Sequence, residues 1–349
     1  MTAERIAPVI AALPVPVLLI GQDDRVRASN DAVTAILGPN LVGNHYITAI
    51  RQPAVIAAVA ETRMQRISRH VRFTGRDGAN DTIYRVAVAM AGDDIALTFE
   101  DQTAAEAVGQ MRRDFVANVS HELRTPLTAL LGFIETLNGA ARDDPEARDR
   151  FLGIMSDEAN RMTRLVDDLL SLSRVEEDER VRPREQVDLG GLLSSVIKAL
   201  EPQASAAGNT VALEIEAAGA MVPGDAGQLV QVFNNLIENA IKYGAQGGAV
   251  TVTLKPRKMY PRLRGEAVQI IVADNGEGIP THHIARLTER FYRVDSHRSR
   301  EVGGTGLGLA IVKHIINRHR GRLLIESEVG NGTNVSIFLP ISQGAGAAS

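Results

Sequence analysis

Two stripes of apolar residues at helical spacing constrain this chain more than any other feature. Val108, Met111, Phe115, Val119 and Leu123 step by three or four, and Leu127, Leu130, Leu131 and Ile134 extend the series. After Asn138–Pro145 a second stripe runs through Phe151, Ile154, Met155, Met162, Leu165, Val166, Leu169 and Leu172. This spacing predicts two amphipathic helices of about 35 residues joined by a short connection. Two helices alone cannot bury both stripes. A second copy would complete a four-helix bundle, so a homodimer is the physical expectation.

The flanks read differently. Residues 1–100 mix short pieces: a strand at Val15–Ile20, a turn at Gly21–Asp24, capping residues Ser29-Asn30-Asp31 before a helix at Ala32–Leu37, and strands at His70–Phe73, Thr82–Met90 and Ile95–Phe99. The turn between the middle pair is expected at Gly75-Arg76-Asp77-Gly78. Together these predict a small α+β domain. Glu176–Glu185, charged and holding Pro183, reads as a linker. From 186 to 341 the pattern is again α/β, with helices at Gln228–Tyr243 and Gly308–Arg320 and strands at Ala249–Leu254, Ala267–Ala273, Gly321–Glu326 and Thr333–Leu339. Pro256–Gly265, basic and punctuated by prolines, reads as a surface loop.

Composition removes several function classes. The 349 residues hold no cysteine, so disulfides, thiolate metal sites and thiol nucleophiles are out. A net charge of −4 and 4% aromatic residues give no support to nucleic-acid binding. The longest apolar run, Ala11–Ile20, is broken by Pro14 and Pro16 and is too short to span a bilayer. No signal peptide is evident, so the expectation is a cytoplasmic protein without a transmembrane segment.

Four clusters carry candidate chemistry. In Ser120-His121-Glu122-Leu123-Arg124-Thr125-Pro126 a histidine lies beside an acid on the first long helix, with Thr125 one turn on. The stripe through Val119 and Leu123 turns His121 and Glu122 off the core seam toward solvent. A neutral imidazole is a nucleophile, and the carboxylate can orient it or take its proton. In Asn234–Tyr243, Asn235 and Asn239 share a helix face; their carbonyl oxygens suit Mg²⁺, and Lys242 can meet a phosphate. Asp274-Asn275-Gly276-Glu277-Gly278-Ile279 follows an apolar strand, where an Asp can accept from an exocyclic amine and glycines let backbone approach a flat ring. Gly303-Gly304-Thr305-Gly306-Leu307-Gly308-Leu309 opens a helix whose N–H groups attract phosphate. It matches neither a Rossmann turn nor a Walker A loop, and reads as a lid. Taken singly, each has a plain alternative: a solvated His-Glu pair, a polar helix face, a strand-to-helix turn, a flexible loop. Their order, with Phe291-Tyr292-Arg293 between the last two, decides against coincidence.

In that order the motifs resemble those of two-component sensor histidine kinases. His121 lies in what resembles the H-box, Asn235–Tyr243 the N-box, Asp274–Ile279 and Gly304–Leu309 the glycine boxes, and Phe291-Tyr292-Arg293 the F-box. The wording of the H-box and of Arg290–Asp295 is most similar to the phosphate-regulon sensor group, and residues 1–100 resemble a PAS domain. The resemblance implies a multidomain α+β chain: a PAS-like sensor (1–102), an antiparallel two-helix hairpin for dimerisation and phosphotransfer (103–178), a linker (179–187), an α/β-sandwich ATP-binding domain of Bergerat (GHKL) type (188–342) and a tail (343–349). It implies autophosphorylation of His121 from ATP, then transfer to an aspartate of a response regulator. Glu122 would be the general base, and Thr125 would position water for dephosphorylating the regulator. Asn239, supported by Asn235, would hold Mg²⁺. Lys242, Tyr243 and Arg293 would meet the phosphates or their surroundings. Asp274 would hold the adenine amine, Gly276 and Gly278 would shape the base pocket, and Gly304, Thr305, Gly306, Leu307 and Gly308 would form the lid. The alternatives are a Bergerat-type ATPase and a dimeric scaffold without phosphotransfer. His282, His283, His297, His314 and His319, and likewise His45 and His70, are read as ordinary surface or core histidines.

Overall fold

The computed structural model describes residues 8–77, 80–178, 181–216, 219–245, 247–263, 265–294 and 304–341. The chain divides into two compact units, Met1–Ala117 and Asn118–Ser349.

The first unit is built on a five-stranded antiparallel sheet: β1 (Val17–Ile20), β2 (Val26–Ser29), β3 (Arg69–Asp77), β4 (Asn80–Ala91) and β5 (Asp94–Asp101), in the order β2-β1-β5-β4-β3. Three helices, α1 (Asp31–Leu37), α2 (Tyr46–Ala49) and α3 (Pro53–Gln65), fill the connection from β2 to β3. Asn30 organises the entry. Its Oδ1 accepts from Val17 N and caps α1 through Val33 N, while Nδ2 donates to Leu13 O and Val15 O. A 3% exposed amide is thereby fully satisfied. Pro53 starts α3 and Arg66, at φ 57°, stops it. Leu18, Ile20, Val55, Val59, Val86 and Val88 are central to the core. The turn expected at 75–78 is not where the strand ends: Gly75, Arg76 and Asp77 continue β3, and Gly78 lies outside the described residues.

Helices α4 (Thr103–Asn138) and α5 (Pro145–Asp178) are the two long amphipathic helices. Phe133 and Phe151 meet across the hairpin, their ring centroids 5.4 Å apart and the rings tilted by 31°. Pro126 sits inside α4, so the carbonyl of Glu122, four residues back, lacks its helical donor. The segment read as a linker from Glu176 is helical through Asp178; 179 and 180 lie outside the described residues.

The rest of the second unit is a sheet covered by helices. Helix α6 (Leu189–Ala206) is capped by Asp188, which accepts from Gly190 N and Gly191 N. Helices α7 (Ala226–Tyr243) and α9 (Gly308–Arg318) follow, with α8 (Thr281–Ile284) a single turn. Strands β7 (Thr210–Ile215), β9 (Ala249–Tyr260), β10 (Gly265–Asp274), β11 (Arg322–Glu328) and β12 (Gly332–Pro340) pair in the order β11-β12-β10-β9-β7, all antiparallel except β7 with β9. A two-stranded ribbon joins β6 (Gln186–Asp188) to β8 (Met221–Pro223). The surface loop expected at 256–265 is mostly strand: β9 runs to Tyr260, whose ring lies 4.0 Å from Phe338, and only 261–263 form a turn of 3₁₀ helix. Ring stacking on the buried Phe338 carries the hairpin past the point where hydropathy alone ends it.

Candidate active site

Helix α7 shows how the sequence builds one wall of the site. Its apolar residues Leu229, Val232, Phe233, Leu236, Ile237, Ala240 and Ile241 are buried. A period of 3.6 residues then throws Asn235, Asn239 and Lys242, at i, i+4 and i+7, onto the opposite face. Asp225 caps the helix through Gln228 N.

These residues line a cavity of about 760 Å³ together with Tyr243, Asp274, Gly278, Arg293, Gly304, Thr305, Gly306 and Gly308. Its volume is that of a site for a nucleotide-sized ligand. Two residues expected at the site are not on its wall: Gly276 packs against the Tyr243 carbonyl, and Leu307 is fully buried. Gly303 lies outside the described residues.

Asp274 ends β10 with its Oδ1 fixed by Gly276 N at 2.9 Å and Thr333 N at 3.2 Å. Burial raises its pKa, and the two N–H donors oppose that shift. Oδ2 has no hydrogen bond among the described residues, which leaves an acceptor for a ligand. Gly278 has φ +71°, and a side chain there would collide with the Glu328 carbonyl. Lys242 pairs with Glu238 at 3.1 Å. Asn235 donates to Gln231 O, while Asn239 has no hydrogen bond among the described residues. No three His, Asp or Glu side chains form a metal cage among the described residues. A divalent ion would therefore depend on the Asn239 carbonyl oxygen and on oxygens of the nucleotide, a donor set that fits Mg²⁺.

The Phe291-Tyr292-Arg293 segment and the glycine lid meet directly. Phe291, at φ 63°, donates its N–H to Gly306 O at 2.8 Å. Tyr292 OH lies 2.5 Å from His283 Nδ1, and Arg286 covers the Tyr292 ring.

The helical hairpin carries the rest. His121 is exposed on α4, and Thr125 Oγ1 donates to the His121 carbonyl at 3.2 Å. Glu122 does not point freely to solvent as the stripe predicts. It is half-buried, with Arg293 Nη2 at 3.1 Å and Arg161 Nη2 at 3.4 Å from one carboxylate oxygen. The hairpin also closes one side of the cavity through Arg164, Asp167 and Asp168. Thr305 donates to Asp168 Oδ2 at 2.7 Å, and burial raises the Asp168 pKa.

Two sequence families match these two parts. Residues 111–178 match the His Kinase A (phospho-acceptor) domain, and residues 224–343 the histidine kinase-, DNA gyrase B-, and HSP90-like ATPases. The chain belongs to the sensor histidine kinases. Sensor protein kinase WalK of Staphylococcus saprophyticus subsp. saprophyticus is 33% identical over 344 residues, 96% of this chain and 55% of that protein. WalK of Staphylococcus aureus is 40% identical over 240 residues, 69% of this chain and 56% of that protein. The chain thus spans about half the length of the curated relatives it matches. The histidine kinase ThkA, solved in complex with the response regulator protein TrrA, shares the fold at a TM-score of 0.54 and 22% identity, over 96% of this chain and 98% of that one.

Within this kinase fold, sequence reasoning passed over Arg161, which joins the two arms of the hairpin through Glu122, Asp168, which joins the hairpin to the lid through Thr305, and Glu176, which meets Arg290 ahead of the lid. Glu176 also lies 3.6 Å from His314 Nε2, a carboxylate partner the sequence did not offer. Nothing local marks these residues, because each pairs with a group far along the chain. His319 is the buried core histidine expected, His45 caps α2, and His297 lies outside the described residues.

Proposed function

We propose that this chain transfers the γ-phosphoryl group of ATP to His121 and then to an aspartate of a response regulator. The observation that carries this is the pairing, in one unit, of an exposed histidine beside an acid on the hairpin with a cavity walled by Asn235, Asn239, Lys242, Asp274 and the glycine lid.

Phosphoryl transfer is positioning and electrostatics more than covalent chemistry. Asp274 would accept a hydrogen bond from the exocyclic amine of adenine, with Gly278 keeping backbone close to the ring and Gly276, proposed for the same pocket, shaping it through its N–H to the Asp274 carboxylate. Lys242, Tyr243 and Arg293 would neutralise and border the phosphates, under a lid formed by Gly304, Thr305, Gly306, Leu307 and Gly308. Asn239, with Asn235 beside it, would hold Mg²⁺, which supplies charge neutralisation on the phosphate oxygens. The lone pair of neutral His121 attacks the γ-phosphorus, the bond to the bridging oxygen breaks, and ADP leaves with that electron pair. The remaining N–H proton of the ring passes to Glu122. Thr125 would place water for dephosphorylation of the regulator.

The finer assignments follow the same reading. The first unit is proposed as a PAS-like sensor, supported by its β2-β1-β5-β4-β3 order with helices inserted after β2. Exposed Leu127, Leu131, Ile134, Leu152 and Ile154 support a homodimer through the hairpin. No helix among the described residues is long and apolar enough to cross a membrane; the proposed use of ATP supports a cytoplasmic location. The H-box wording supports a phosphate-regulon type of sensor.

Incubation with γ-labelled ATP tests the core claim. Label should stay on the wild-type protein, vanish in His121→Ala, and move to a response regulator in a phosphotransfer profile. Phosphate release without retained label would favour a plain ATPase, and no ATP binding would favour a scaffold.

A further inference from the structure

Glu122 is held from two sides, and the two arginines are not equivalent. Arg293 belongs to the segment before the lid and lines the nucleotide cavity. Phosphates arriving there compete for its guanidinium. Arg161 lies on α5, does not line that cavity, and its side chain is 16% exposed. One of its terminal nitrogens meets Glu158 at 3.1 Å, one turn earlier on its own helix; the other meets Glu122 across the hairpin. A small void beside this contact is lined by Pro126, Met162, Leu165 and Thr305, and Leu165 is buried. The pair thus sits against an apolar floor that limits competing water. Glu122 and Arg161 stand on the two arms of one hairpin, so movement of the ATP-binding domain leaves their contact intact.

We propose that Arg161 is a positioning residue for the kinase reaction, holding the Glu122 carboxylate beside His121 once the nucleotide has drawn Arg293 away. Glu158 in turn fixes Arg161. The inference rests on the proposed autophosphorylation and deepens it.

The test measures autophosphorylation rate and ATP affinity for the wild type, Arg161→Met and Arg161→Lys in the full chain. Misplacing a catalytic group costs up to about a hundredfold. Arg161→Met should lower the rate at saturating ATP by about tenfold with ATP affinity unchanged, and Arg161→Lys, which keeps the charge, should recover most of it. Wild-type rates in Arg161→Met, equal losses in both variants, or a parallel fall in ATP affinity would each overturn the assignment. If Arg161→Met does not fold, Arg161→Gln replaces it under the same criteria. Absence of His121-dependent label in the wild type is a different result: it removes the kinase reading itself.

Discussion

His319 holds the corner where α9 meets the start of α7. Its ring is fully buried; Nδ1 donates to Ile315 O at 2.7 Å, and Nε2 accepts from Asp225 N at 3.0 Å. One nitrogen donating and the other accepting fixes the neutral tautomer, and burial lowers the pKa below 6.5, with Arg318 and Arg182 adding to the shift and Asp225 opposing it. The unfolded chain takes up a proton near its ordinary value of about 6.5, whereas the folded chain resists it. Stability from this group is therefore complete above about pH 6.5 and falls as pH drops through it. Denaturant melts at pH 7.5, 6.5 and 5.5 should show that decline. His319→Leu should flatten it while costing about 1–3 kcal/mol at neutral pH, because Asp225 N–H loses its acceptor. Asn30 is a comparable residue in the first unit, its four hydrogen bonds tying the strand entry to α1.

At the scale of elements, the site depends on how closely α7 and α9 approach. A Cβ on Gly308 would lie 2.6 Å from Asn235 Oδ1, so a side chain at the first residue of α9 would push the Asn235 amide out of its place on the cavity wall. Gly308→Ala should leave the free energy of unfolding within about 1 kcal/mol of the wild type, because helix propensity offsets the contact, and should weaken ATP binding because the Asn235 amide is displaced. Unchanged affinity for a fluorescent nucleotide would show that the contact does not shape the site. The apolar stripes of α4, α5, α7 and α9 make these helices legible, since a 3.6-residue period needs no partner to be seen. Strands β10 and β12 are legible as apolar runs. Strand β2 is four residues, Val-Arg-Ala-Ser, and β6 and β8 are three each. Such lengths carry too little pattern, and only their pairing partners make them strands. Helix α6 has Pro202 within it and glycines in its first turn, a poor local signal outweighed by burial of Leu189, Leu193, Val196 and Leu200.

For the whole molecule, one continuous helix, α4, starts directly after β5 and carries His121. A signal read by the first unit has this helix as its covalent route. Inserting one to four residues after Gln102 rotates everything downstream by about 100° per residue. Kinase output should vary with that period across the series, and a flat response would rule out transmission by helix rotation. The sequence by itself determined the long hairpin, the nucleotide-site motifs and the glycines between them, because periodicity, caps and turn residues act over a few positions. Tertiary structure alone decided that Glu122 is clasped by Arg161 and Arg293, that Asp168 holds the lid through Thr305, and that Glu176 meets Arg290. Those pairs lie 39 to 171 positions apart. An ion pair at such separation leaves no trace in local pattern, since it exists only where packing of apolar faces brings the two charges together and keeps water away.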